Sequence, residues 1–228
     1  MSNNVIVVAD RETEFKSINT IKLVGSIVHK FRPRSNVITI TLAVGQTGTE
    51  RVEYPNVTFY GDNAAIIDDT MEVKPGQYPR VCISAMIQTM RRNTADGPRY
   101  FQNIIGLELR RAPTNLERLT GQMDIGSHKL QSCNEVCLLG EVVNIYEIER
   151  ADRDTPIGTI VTLKTVDNGK VNFPKVTCFG SVSRAASRLK SGDRACLTGH
   201  IQTKYKRAAG DEKGTRFESV IGSEVSKV

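Results

Sequence analysis

Two short segments of this chain set aromatic side chains at both ends of an alternating run. In Tyr54-Pro-Asn-Val-Thr-Phe-Tyr60, period-two alternation puts Tyr54, Asn56, Thr58 and Tyr60 on one face and Val57 and Phe59 on the other. In Phe173-Pro-Lys-Val-Thr-Cys-Phe179, the residues Phe173, Lys175, Thr177 and Phe179 share a face opposite Val176 and Cys178. One face is apolar and suits a barrel interior. The other carries a ring at each end with polar or cationic groups between. Such a face offers π surfaces for planar bases and positive charge for the phosphates beside them. Stacking on an aromatic is worth about 1–3 kcal/mol per base and ignores base identity. The competing reading is a covered hydrophobic rim or a subunit contact, and it weighs most on Tyr60 and Phe179.

Clustered cations extend this chemistry. His29-Lys-Phe-Arg-Pro-Arg34 supplies Phe31, Arg32 and Arg34, and the stretch from Tyr146 to Arg153 supplies Tyr146 and Arg150. Met90-Arg-Arg92 supplies Arg91 and Arg92. Lys204-Tyr-Lys-Arg207 supplies Lys204, Tyr205, Lys206 and Arg207. Phe31 and Tyr205 are interleaved with charge, so rings could stack while their neighbours neutralise phosphate. The alternative is a pair of solvated basic hairpins. The net charge of +6 and pI of 9.1 are compatible with a polyanionic partner, and the excess is shared evenly between the halves.

Other chemistries find little support. The chain lacks GxxxxGK[ST], HExxH and GxSxG patterns. The close acidic pair Asp68-Asp69 falls at the end of an expected helix, where solvation is expected. No enzyme is expected. The five cysteines are odd in number, which argues for reduced thiols. Cys82, Cys137, Cys178 and Cys196 lie in strand-like runs and are expected as small core residues. Cys133 and Cys137 have CxxxC spacing, and His29, His128 and His200 form no ligand pattern, so neither a metal nor another cofactor is expected. No apolar run approaches the roughly 20 residues of a membrane helix, and the first ten residues carry no basic leader. A soluble, cytoplasmic protein with no membrane partner is expected.

The chain also repeats itself. Leu23-Val-Gly-Ser-Ile27 returns as Leu138-Leu-Gly-Glu-Val142, and Pro55-Asn-Val-Thr-Phe-Tyr-Gly61 as Pro174-Lys-Val-Thr-Cys-Phe-Gly180. Val81-Cys-Ile-Ser-Ala-Met-Ile-Gln-Thr89 returns as Ala195-Cys-Leu-Thr-Gly-His-Ile-Gln-Thr203, and Phe101-Gln-Asn-Ile-Ile-Gly106 as Phe217-Glu-Ser-Val-Ile-Gly222. These ordered matches, each displaced by about 115 residues, make the chain two copies of one unit. Strands are expected over 20–31, 37–44, 52–60, 79–91 and 100–110, and again over 134–148, 159–166, 171–179, 194–205 and 215–225. A helix fits between the third and fourth strand of each copy. In the second it runs from Ser181, a candidate N-cap, to Leu189, with Val182, Ala185, Ala186 and Leu189 on one side. In the first, Asp62 takes the capping slot, followed by Ala65, Ile66 and Met71. The expected fold is all-β: two tandem five-stranded OB-fold barrels, each with a short helix between strands 3 and 4. Residues 1–112 form the first domain with a short N-terminal extension, 113–132 a linker, and 133–228 the second domain.

The segment Pro174-Lys-Val-Thr-Cys-Phe-Gly180, its helix, and the following run from Lys190 to Gly222 resemble the bacterial and phage single-stranded DNA-binding (SSB) family. The second copy matches along its length, and the first matches at the same landmarks. The resemblance implies sequence-tolerant binding and protection of single-stranded DNA in replication, recombination or repair. It places Tyr54 and Phe173 where the family has a stacking Trp, and Tyr60 and Phe179 on its Phe before Gly. It also implies a homo-oligomer, a dimer supplying four OB-folds, with replication or recombination proteins as further partners. This chain has no Trp, so Tyr and Phe are expected to stack instead. Its last residues, Ser223-Glu-Val-Ser-Lys-Val228, are not the acidic tail by which family members recruit partners. The alternatives are an OB-fold interaction component of a replication or phage assembly complex, or an RNA binder.

Overall fold

Apolar residues at alternate strand positions close each copy into a ring of strands. The computed structural model describes residues 15–45, 51–94, 97–112, 121–125, 128–167, 169–206 and 215–228. In the first copy the strands are β1 (Ile18–Arg34), β2 (Val37–Gly45), β3 (Val52–Glu53), β4 (Asn56–Tyr60), β5 (Arg80–Thr94) and β6 (Gly97–Arg111), with helix α1 (Asp62–Thr70) after β4. After β7 (Gly121–Ile125), the second copy holds β8 (His128–Arg150), β9 (Arg153–Asp167), β10 (Lys170–Asn172), β11 (Lys175–Phe179), helix α2 (Gly180–Ala186), β12 (Arg194–Lys206) and β13 (Thr215–Lys227).

Pairing runs β1–β2–β4–β6–β5 and back to β1, with β4–β6 parallel and the rest antiparallel. The second ring, β8–β9–β11–β13–β12, repeats this with β11–β13 parallel. Both are closed five-stranded barrels with the strand order and helix position of an OB-fold. Ile21, Leu23, Ile38, Ile40, Leu42, Val57, Phe59, Ile83 and Ile87 fill the first interior. Val136, Leu138, Leu163, Val176, Cys178, Leu197 and Ile201 fill the second.

Glycines follow from this packing at two places. Gly61 and Gly180 have φ of 61° and 57°, the left-handed conformation that turns the chain from strand into helix. A Cβ on Gly106 would lie 2.1 Å from the buried Phe59 ring. On the equivalent Gly222 it would meet the smaller Cys178 at 2.8 Å.

Several expectations need correction. The third strand is interrupted in both copies, because Pro55 and Pro174 have no N–H to donate. Their carbonyls still accept from the Leu42 and Leu163 N–H groups at 3.0 Å, so the barrel walls continue. Asp62 is the first helical residue after Gly61, and the N-cap of α2 is Phe179 in place of Ser181; neither helix has a side-chain cap. In α1 the buried residues are Ala64 and Ile67, with Met71 just beyond, while Ala65 and Ile66 are exposed. Ala185 is exposed too, and Ala186 and Leu189 face the core. Asp68 is not free in solvent. It pairs with Arg32 and, at 3.5 Å, with Lys30. The domain bounds stand uncorrected: within 113–132, Gly121–Ile125 pair with the start of β8, and 113–120 and 126–127 lie outside the described residues. Cys133 joins Cys178 as a buried thiol, and Cys82, Cys137 and Cys196 are only half-buried.

The barrels are joined edge to edge. β1 pairs with β8 antiparallel from Ile18↔Leu139 to Val24↔Cys133, giving one continuous sheet β6–β5–β1–β8–β12–β13. Ile21 lies opposite Val136, its own counterpart in the repeat. A pseudo-twofold axis therefore passes between these residues. Asn19 and Asn134 are likewise counterparts. Asn19 Nδ2 donates to the Ile87 carbonyl at 2.8 Å, and its Oδ1 accepts from the Ile87 N–H at 2.9 Å. Asn134 bridges Ile201 in the same way, at 2.8 Å for both bonds.

Candidate nucleic-acid interface

The backbone before each proline is held by the opposite barrel. The Tyr54 N–H donates to Thr203 Oγ1 at 3.1 Å, and the Phe173 N–H donates to Thr89 Oγ1 at 2.9 Å. Each threonine is fixed in turn. The buried Glu53 carboxylate accepts from both the N–H and Oγ1 of Thr203, at 2.6 and 2.7 Å, and pairs with Arg51 Nε at 2.5 Å. On the other side, Asn172 Oδ1 accepts from the Thr89 N–H at 3.1 Å. One residue past each proline the exchange repeats. The Asn56 N–H donates to Glu218 Oε1 at 2.7 Å, and the Lys175 N–H to Gln102 Oε1 at 2.5 Å. This reciprocal lock positions the aromatic of one barrel from the strands of the other.

Tyr54 and Phe173 emerge from the lock equally exposed, at 37% each. Tyr60 and Phe179, at the far ends of β4 and β11, are also exposed, while Val57, Phe59, Val176 and Cys178 are buried. Lys175 lies exposed between the two rings of its copy. Phe31 and Tyr146 occupy equivalent positions before the first hairpin turn of each barrel, at 58% and 60% exposure. Arg34 is exposed beside Phe31, but Arg32 is tied to Asp68 and to the Ser35 carbonyl at 2.6 Å. Arg150 pairs with Asp152 at 2.8 Å. Arg91 and Lys204 are exposed, Tyr205 strongly so, and Arg92 sits over the Phe101 ring at 5.4 Å. Lys206 ends β12; its side chain, and Arg207 altogether, lie outside what is described.

Tyr100, Phe101, Arg216 and Phe217, which the sequence reading did not assign, join these groups. They begin the last strand of each barrel and line a groove between the barrels of about 580 Å³, together with Asn56, Lys175, Gln102 and Glu218. A usable signal existed, since Phe101 and Phe217 head the fourth repeated motif. What hid them is that the groove forms only when both copies meet. The Glu218 carboxyl is pushed above its ordinary value by burial, which outweighs the Asn56 N–H and the nearby Arg216.

Reactive alternatives are weak. Burial pushes the Cys133 thiol up to about 12 and that of Cys178 up to about 11, so neither is a ready nucleophile. Among the described residues no three His, Cys, Asp or Glu side chains gather as a metal site. Among the same residues no helix is long and apolar enough to cross a membrane.

No family model matches the sequence, and no curated protein sequence does either. Solved structures do match. The wild-type single-stranded DNA-binding protein of Thermus aquaticus superposes with a TM-score of 0.63 at 12% identity, covering 94% of each chain. A deletion variant of that protein gives 0.62 at 13% identity, over 93% of this chain and 95% of the other. At such identities the likeness is one of fold, and the fold of this chain is therefore an SSB-like pair of OB barrels.

Proposed function

We propose that this protein binds single-stranded DNA with little sequence preference, protecting it during replication, recombination or repair. The observation that carries the reading is the recurrence of exposed rings at equivalent places of both barrels, Tyr54 with Phe173, Tyr60 with Phe179 and Phe31 with Tyr146. Lys175, Arg34, Arg91 and Lys204 are exposed cations of the same two barrels. Rings without base-specific hydrogen-bonding partners favour stacking over readout, and exposed cations favour phosphate. The likeness to a protein named as a single-stranded DNA-binding protein supports the same reading. The proposed function includes a cytoplasmic location, no catalysis, and a homodimer presenting four barrels. Replication or recombination proteins are the further partners it implies.

Titration of the protein with dT oligomers at low salt tests this. Tyrosine fluorescence is expected to be quenched, with affinity falling linearly in log–log dependence on salt. Absence of binding at micromolar protein sinks the proposal. Competition between poly(dT) and poly(U) separates DNA from RNA preference, and gel filtration with and without dT oligomers reports the dimer.

A further inference from the structure

The groove is walled by both barrels, more of it by the first, and the counterpart positions that line it are no longer alike. The repeat makes Asn56 the counterpart of Lys175, Tyr100 of Arg216, and Gln102 of Glu218. One half thus holds Asn56, Arg216 and Glu218, and the other Lys175, Tyr100 and Gln102. The change is not random drift of charge. On the ribbons, Arg91 pairs with Tyr100 and Tyr205 with Arg216. The same cation–aromatic rung is present twice with its strands exchanged. Phe101 and Phe217 remain a matched exposed pair across the axis.

We propose that this groove carries single-stranded DNA from one barrel to the other, and that its unlike halves impose one polarity on the strand. This rests on the function proposed above. The anion chemistry is present in each half. Arg216 Nη2 donates to Asn56 Oδ1 at 3.2 Å and lies 3.9 Å from the Glu218 carboxylate, a distance that leaves the guanidinium free to take a further acceptor. The guanidinium lines the groove, where charge-assisted N–H donors suit a phosphate oxygen. The exposed Lys175 ammonium makes no ion pair among the described residues and offers a second phosphate contact. Phe101 and Phe217 give rings on which bases can lie while the backbone passes these cations.

Symmetry then decides direction. A true twofold groove presents the same groups to a strand entering from either side. A nucleic acid strand has no such axis, so a symmetric groove binds both polarities equally. Replacing Tyr by Arg and Asn by Lys on opposite halves removes that equivalence. The groove becomes a directional seat, with a guanidinium on one side and a ring with an ammonium on the other.

The test uses the full chain and dT oligomers of about 20 nucleotides, long enough to engage two OB barrels at roughly 4–16 nucleotides each. A single 5-iododeoxyuridine is set at the 5′ or the 3′ end, photocrosslinked, and the attached peptides mapped by mass spectrometry. The 5′ label is expected to mark the rings of one barrel and the 3′ label those of the other, each with at least fivefold preference. Equal marking of both barrels by each label, with binding intact, overturns the polarity and leaves the proposed function standing. Failure of wild-type protein to bind at all removes both. The variant Tyr100→Arg/Gln102→Glu/Lys175→Asn gives both halves the same Asn, Arg and Glu, a set the fold already accommodates once. It is expected to bind with the preference lost, and a preference persisting in it overturns the role of these residues. Arg216→Gln is expected to lower the salt slope on the 20-mer by about 0.7, the value for one phosphate contact on a single strand. An unchanged slope overturns the assignment of Arg216.

Discussion

Glu218 is an acid set among groups that otherwise favour an anion. Its carboxylate accepts the Asn56 N–H and lies 3.9 Å from Arg216, yet burial raises its pKa above the ordinary 4.5. A raised carboxyl pKa means the folded protein holds the proton more tightly than the unfolded chain. The cost of the buried charge is absent below the unfolded value and is felt in full above the folded one. Binding of a phosphate backbone nearby raises that pKa further. Affinity for dT oligomers is therefore expected to strengthen as pH falls from neutral towards the raised value. Glu218→Gln is expected to abolish that pH dependence and to tighten binding at pH 7, by about 1–4 kcal/mol, the span between bulk water and a protein surface for unit charges roughly 4 Å apart. Gln102 already makes the equivalent bond, so the substitution has a precedent in the same molecule. A pH profile unchanged in the variant counts against Glu218 facing the DNA. The rings themselves are tested by Tyr54→Ala and Phe173→Ala. Each is expected to weaken binding by about 1–3 kcal/mol whatever the oligomer sequence, measured by fluorescence titration. Loss confined to one base composition would point to readout instead of stacking.

Among the elements, the parallel pairs β4–β6 and β11–β13 show how local spacing was legible and how far. Alternation correctly separates the buried Val57, Phe59, Val176 and Cys178 from the exposed rings at the strand ends, because a half-buried strand has only two faces. The helices were less legible. Gly61 and Gly180 begin them through backbone conformation alone, so the capping side chains that the sequence predicts at Asp62 and Ser181 make no cap. The Asp68 ion pairs were illegible for a different reason. They join α1 to β1 across 36 residues, a contact that no local pattern encodes. The glycines opposite the third strand give a quantitative check. Gly106→Ala drives a methyl into the fixed Phe59 ring at 2.1 Å, whereas Gly222→Ala meets the Cys178 sulfur at 2.8 Å and a Val176 methyl at 3.1 Å. Overpacking of a closed core costs about 1–3 kcal/mol. Gly106→Ala is expected at or beyond the top of that range and Gly222→Ala near the bottom, by urea denaturation. The reverse order would mean that the first barrel relaxes more readily than its close contacts imply.

At the scale of the molecule, the repeat made two barrels evident but said nothing of their mutual placement, since each motif describes one copy only. That placement is fixed by the β1–β8 pairing and by the reciprocal lock, and both bear on stability. If the second barrel opened alone, Glu53 would lose its Thr203 bonds and Gln102 its bond from Lys175, and if the first opened alone, Asn172 would lose its bond from Thr89. A buried polar group left without its partner costs about 1–3 kcal/mol, more when charged. Several such groups open at once, along with the shared strand edge. The two barrels are thus expected to unfold in one cooperative transition, with circular dichroism and tyrosine fluorescence giving coincident urea curves. Thr203→Val removes one acceptor and one donor from the lock. It is expected to cost about 1–3 kcal/mol, and it also frees the Tyr54 N–H that Thr203 anchors. Its loss of DNA affinity should therefore fall mainly on contacts made by Tyr54 in the first barrel, although the mutated residue belongs to the second. A double-mutant cycle of Thr203→Val with Tyr54→Ala measures this. Strong non-additivity supports positioning across the barrels, and simple additivity would assign Thr203 a purely structural role.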